Sequence, residues 1–189
     1  MAFRKMLTAT MFLALGVSAN CIHGNCNRAE TTELSTVTTS TVSNGGFESG
    51  LAPWTVVVPD SGITYFVGAP AQAGSNSFQV RLTPSGGNTE FGVSARLISA
   101  PIAVQPNVPY KLSFWTNFDN ADAGFIGVQI NDVPKRTVDA RDHGYGGNTF
   151  ALTEVLYTPT TTSVTIKFEY LFGNHAGLDR IDSIVFAPA

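Results

Sequence analysis

Charge is scarce in this 189-residue chain, where Asp, Glu, Lys and Arg together make up 13% of the residues. Long helices and coiled coils display charged faces, so the shortage argues against a helix-rich chain. A net formal charge of −3 offers no excess of cations to a phosphate backbone, and nucleic acid is not an expected partner. Cysteine is rarer still: the two present are Cys21 and Cys26, both near the start, and they cannot staple a domain that follows them. In an oxidising compartment they either close a local loop through Ile22-His23-Gly24-Asn25 or pair with another chain. A zinc site built on Cys21, His23 and Cys26 lacks a fourth ligand nearby. No later apolar run approaches the roughly 20 residues that cross a bilayer, so no membrane anchor is expected. No Asn-X-Ser/Thr sequon occurs, and N-glycosylation is not expected.

What is present points to a packed, exported β domain. Apolar residues make up 43% and include thirteen Phe, enough to exclude a disordered chain and to fill one core. Residues 1–20 have the form of a secretory signal: Arg4 and Lys5 lead, an apolar stretch runs over 7–17, and Val17-Ser18-Ala19 supplies small residues for cleavage near Ala19 or Asn20. Asn20 also disfavours lipidation of Cys21, because a small Ala or Gly would be expected there. Residues 21–43 then read as a tether, Cys-containing at first and rich in Ser and Thr from Thr31 to Ser43. The expected product is a secreted, extracellular or wall-associated monomer with one domain over 44–187.

Within that domain, short apolar or alternating segments are separated by Gly, Pro, Asn and Asp, as in an all-β, two-sheet antiparallel β-sandwich. The spacing predicts nine strands, over 54–58, 63–67, 77–82, 93–98, 110–118, 125–131, 152–157, 164–170 and 181–186, with no helix of consequence. Period-two alternation sorts their side chains. Phe78, Val80 and Leu82 turn inward, as do Tyr110, Leu112 and Phe114, Ile126, Val128 and Ile130, and Val164, Ile166 and Phe168. Arg81, Trp115, Asn117, Gln129 and Glu169 then face outward, and one outer surface would hold Arg81, Trp115, Gln129 and Glu169 if their strands share a sheet.

Four segments carry a resemblance. Asn44-Gly45-Gly46-Phe47-Glu48-Ser49-Gly50 with Pro53-Trp54, Ser77-Phe78-Gln79-Val80, Tyr110-Lys111-Leu112-Ser113-Phe114-Trp115 and Arg180-Ile181-Asp182-Ser183-Ile184-Val185-Phe186 follow one another in the order seen in carbohydrate-binding modules of the family 4, 9 and 22 type. The domain resembles that family over about 44–187, and a stand-alone module behind a Ser/Thr-rich lead looks fungal. The resemblance implies a jelly roll whose concave sheet face binds a polysaccharide such as glucan, xylan or a related wall polymer. It also implies one structural calcium, held by the residues matching Glu48 and Asp182. Gly46 and Ser183 stand where the family's further acids would be, which thins the charge at that site.

The outward residues suit a sugar chemically. An indole face meets pyranose C–H groups, while Gln, Arg, Asn and Glu hydrogen-bond hydroxyls in pairs. Trp115 is the leading ligand residue on this reading, with Arg81, Gln129, Glu169 and Asn117 beside it; Trp115 buried under a covering loop is the alternative. The Gly-rich loop 139–148 adds Arg141 and Tyr145 as a candidate groove wall, and the stretch 174–179 reads as a turn. Two other functions stay open. A small β-sandwich glycoside hydrolase or polysaccharide lyase needs two placed carboxylates, and the spacing of the acids singles out no pair. A wall or surface interaction protein that keeps the fold without sugar affinity is the third reading.

Overall fold

The computed structural model describes residues 42–59, 62–83, 95–143, 145–172 and 176–189. The expected export signal, both cysteines, nearly all of the tether and residues 93–94 of one expected strand lie outside the described residues. All regular structure among the described residues is β: β1 Thr55–Val57, β2 Ile63–Gly68, β3 Ser77–Leu82, β4 Ala95–Ile98, β5 Ile102–Ala103, β6 Tyr110–Phe118, β7 Phe125–Ile130, β8 Val133–Asp139, β9 Ala151–Tyr157, β10 Ser163–Val164, β11 Ile166–Leu171 and β12 Gly177–Pro188. Two five-stranded antiparallel sheets form, β1-β4-β11-β7-β8 (sheet I) and β2-β3-β12-β6-β9 (sheet II), with a short β10-β5 pair beside them.

The inward sets named from alternation are all buried. Aromatic rings bridge the two sheets: Phe114 of β6 meets Phe168 of β11 edge-on at 5.1 Å, and Phe78 of β3 meets Tyr170 of β11 at 5.9 Å. Each such buried ring contributes on the order of 1.5–3 kcal/mol.

Three departures have physical causes. β8 was not expected, because this edge strand exposes Val133 through Thr137 and has no apolar alternation to read. The expected 164–170 strand breaks at Thr165, whose amide donates to Asn131 Oδ1, so β10 pairs with β5 and β11 pairs with β4 and β7. The 174–179 turn is corrected in its second half: Gly177 to Asp179 open β12, and Asp179 is fully buried.

The opening motif works as a corner. Asn44 Nδ2 donates to the carbonyls of Gly50 and Ala52, and Trp54 Nε1 donates to the Asn44 carbonyl. Gly45 lets that corner touch the last strand: the Ile184 amide donates to its carbonyl at 2.9 Å, and a Cβ on Gly45 would stand 2.0 Å from Ile184 O. Between Asp182 and Val185 the register of β12 against β6 gains a residue, with Ser183 at φ 52°. That bulge directs Asp182 at the chain crossing above it.

Candidate functional site

The outer face of sheet I is built in two rows across five strands. The first runs Val57, Arg96, Glu169, Gly127, Thr137, and the second Thr55, Ile98, Lys167, Gln129, Pro134. Glu169 lies on β11, the middle strand. Its Oε1 accepts from Arg96 Nε at 3.0 Å and its Oε2 from Gln129 Nε2 at 2.6 Å. Three planar polar groups from three neighbouring strands are thus locked together, with Glu169 16% exposed and Arg96 33%. Beside them Gly127 carries no side chain, and a Cβ placed there would make ordinary contact with Glu169 Cβ at 3.8 Å and Leu171 Cδ1 at 4.0 Å. The hairpin between β7 and β8 closes one end. Asn131 and Asp132 both have positive φ, 51° and 62°, the two-residue geometry that fits strand twist, and Asp132 Oδ1 accepts from Lys167 Nζ.

Sheet II is roofed in part, while Leu152, Leu156 and Val185 stay exposed on the same outer face. Gln79, Asn117 and Asp182 sit at outward positions of β3, β6 and β12, yet none is more than 1% exposed. Residues 68–76 cover them from one side: Gln79 Nε2 donates to the carbonyls of Gly68 and Ala69, and Asp182 Oδ2 accepts from the amides of Gln72 and Ala73. Asn117 Nδ2 donates to the Thr149 carbonyl, and its Oδ1 accepts from Arg180.

The single outer surface foreseen for the site is therefore corrected. Arg81, Trp115 and Asn117 belong to sheet II, while Gln129 and Glu169 belong to sheet I. Asn117 is buried, with both ends of its amide engaged, which removes it from any exposed face. Trp115 is half-buried, between Asp182 and Leu152 in register, and Arg81 lies over the Phe66 ring at 5.8 Å. Arg141 forms an exposed pair with Asp122 at 2.8 Å, and Tyr145 is exposed on the loop from β8 to β9, that is, from one sheet to the other. Sequence reasoning missed Arg96 and Gly127. Alternation in Ala95-Arg96-Leu97-Ile98 turns Arg96 outward, but only the pairing of β4 with β11 shows that it meets Glu169.

Glu48 and Asp182 converge on one segment. Glu48 Oε1 accepts from the amides of Ser75 and Asn76, both at 2.9 Å, and Asp182 Oδ1 accepts from the Ser183 amide. Ser183 Oγ donates to Gln72 Oε1. Burial pushes the Asp182 carboxyl up, the three backbone amides oppose this, and the Glu48 charge adds to the rise. Carboxylate oxygens are ligands that a hard cation such as calcium takes, and a cation bound between the two would relieve that repulsion. No third Asp, Glu, His or Cys joins them among the described residues, which leaves carbonyl and water oxygens for the remaining ligands.

Comparison with known proteins supplies the context. A family model described as a carbohydrate binding domain matches residues 39–186. Exochitinase 1 of Streptomyces olivaceoviridis is 32% identical over 133 residues, covering 70% of this chain but only 19% of that protein. Among solved structures, the K3 cleaved adhesin domain of Lys-gingipain from Porphyromonas gingivalis superposes with a TM-score of 0.59 at 14% identity, over 79% of this chain and 98% of that one. The CBM22-1–GH10 modules of Clostridium thermocellum xylanase 10B, complexed with xylohexaose, give 0.52 at 12% identity, over 80% of this chain and 29% of that one. At these identities the structural matches speak for the fold.

Proposed function

The chain belongs to the carbohydrate-binding domain family, whose model spans 39–186, and from that premise we propose that it binds a wall polysaccharide along the outer face of sheet I. One observation carries the choice of face: Arg96, Glu169 and Gln129 form a hydrogen-bonded array across β4, β11 and β7, beside Gly127, which carries no side chain. A carboxylate held by two donors keeps lone pairs for sugar hydroxyls, and Arg96, which gives Glu169 only its Nε, keeps terminal N–H donors for the same use. Ordering these groups before the ligand arrives lowers the entropic cost of binding.

The reading is non-catalytic. The carboxylates on this face are engaged: Glu169 as described, Asp132 by Lys167 and Asp139 Oδ1 by the Arg141 amide. A free acid and a free base flanking one bond are what glycoside hydrolysis requires. Chitin is the first polymer to try, because an exochitinase shares 32% identity with this chain; glucan and xylan follow. A second reading places the sugar on Trp115 and Arg81 of sheet II, favoured by the half-exposed indole beside the exposed Leu152. We also propose export by the 1–20 signal, and one structural calcium held by Glu48 and Asp182, where it would neutralise the paired carboxylates and fasten the first turn to the last strand.

Retention on insoluble chitin, β-glucan and xylan tests the function. The proposal expects the protein in the pellet with at least one polymer, displaced by soluble oligosaccharide of the same sugar. Recovery entirely in the supernatant with all three would overturn it.

A further inference from the structure

The start of β12 alternates across the sheet. Leu178 and Arg180 take the outer side, where Arg180 is held by Asn117 Oδ1 and Gln79 Oε1. Asp179 takes the inner side, in register with Val80 of β3 and Phe118 of β6. It is fully buried, and among the described residues neither carboxylate oxygen has a hydrogen-bond partner. Tyr170, buried on β11 of the opposite sheet, has an unpartnered hydroxyl as well. The surroundings are closed: Tyr170 packs edge-on against Phe78, and a Cβ on Gly177 would stand 2.9 Å from both Ala123 Cα and Phe172 Cδ1.

A buried carboxylate with no donor is far less stable than the neutral acid. Two Asp179 oxygens and one phenol do not make a cation's shell, and no group of three His, Cys, Asp or Glu exists among the described residues. We propose that Asp179 carries a proton in the folded domain and that losing it, as the surroundings turn neutral or alkaline, loosens the end of the sandwich where β12 begins, so that the domain is built for acidic surroundings. Among the described residues, two charged groups act on Asp179. Asp119, on the loop after β6, opposes ionisation, and Arg180 favours it from the far side of the strand. Burial, the largest influence, and Asp119 outweigh Arg180 and hold the carboxyl well above the usual carboxylate range. Burial and Asp179 together raise the Tyr170 phenol too.

The sign follows from linkage. The unfolded aspartate releases its proton near pH ~3.9, whereas the folded one keeps it to a higher pH, so the folded state binds more protons in between. The associated stability is complete below that unfolded value and is lost as pH rises to the pKa of folded Asp179. Over that span the unfolding constant grows by about tenfold per pH unit for this one group.

Urea unfolding of the full chain and of Asp179→Asn, at intervals from pH 4 to pH 8, tests the proposal. The expected result is a wild-type unfolding constant that climbs with pH, and a variant that climbs less steeply by the share of one proton and is the more stable of the two at pH 7. Parallel curves, or a variant weaker than wild type at pH 7, overturn it. Should the variant not fold, the aspartate carboxyl carbon resonances of the wild type answer instead. The Asp179 carboxyl, assigned through correlation with its own backbone, still protonated at pH 6 in the folded protein and ionised once urea unfolds it, supports the proposal; an ionised Asp179 at pH 6 in the folded protein overturns it.

Discussion

Gly127 and Glu169 face each other across two paired strands, and the absence of a side chain on one sets the accessibility of the other. A leucine at Gly127 would be accommodated without backbone conflict, because its Cβ meets nothing nearer than 3.8 Å. Gly127→Leu should therefore keep its melting temperature within a few degrees of wild type while losing polysaccharide affinity; calorimetry and binding on one sample check both. Gly124 is the contrast, since a Cβ there would stand 2.0 Å from the Leu171 carbonyl, at φ 96°. Glu169→Ala removes a charge-assisted bond to Arg96 and a second to Gln129. It also removes the acceptor proposed for a sugar hydroxyl, and one charge-assisted bond to the ligand contributes about 1.5–3 kcal/mol, so affinity should fall by about 10- to 100-fold. Trp115→Ala should leave affinity within twofold if sheet I is the binding face, and a larger loss from Trp115→Ala than from Glu169→Ala would move the site to sheet II.

β12 gathers most of the fastening. Its Ile184 amide holds the first turn, its Asp182 carboxylate holds residues 72 and 73, and its Arg180 side chain holds β3 and β6 through Gln79 and Asn117. Asp182→Ala would strand two amides of the roofing segment, at a cost of about 1–3 kcal/mol each. For a domain of this size that corresponds to a fall in melting temperature of roughly 4–24 °C. Calcium at about 100 times its dissociation constant should add ~2.7 kcal/mol of stability to the wild type, and none to Asp182→Ala; a wild-type melting temperature indifferent to both calcium and chelator would contradict the calcium proposal. The strand itself was legible only in part. Ile181, Ile184 and Phe186 announce a buried strand, but Gly177-Leu178-Asp179 looks like a turn, because a carboxylate is not expected in a core. β8 was invisible for the opposite reason, since an edge strand of exposed residues has no second face to alternate with.

Across the whole molecule, alternation told inside from outside correctly for Phe78, Tyr110, Phe114, Ile126 and Phe168, since each strand has one buried face. It could not tell one outside from the other. Trp115 and Glu169 are both outward by parity, yet they stand on opposite sheets, because successive strands cross between the sheets and pairing is set by topology. Nor could it see that residues 68–76 roof sheet II, since that depends on Gln79 and Asp182 finding backbone partners in a loop. The same topology gives sheet I the ordered polar array beside Gly127, and sugar binding on that face is the account's central claim. Amide chemical-shift mapping during titration with the oligosaccharide of whichever polymer retains the protein tests it most directly. The account predicts shifts concentrated at Arg96, Gly127, Gln129 and Glu169 with Trp115 and Leu152 unmoved; shifts centred on Trp115 and Leu152, with β4, β7 and β11 unmoved, would contradict it.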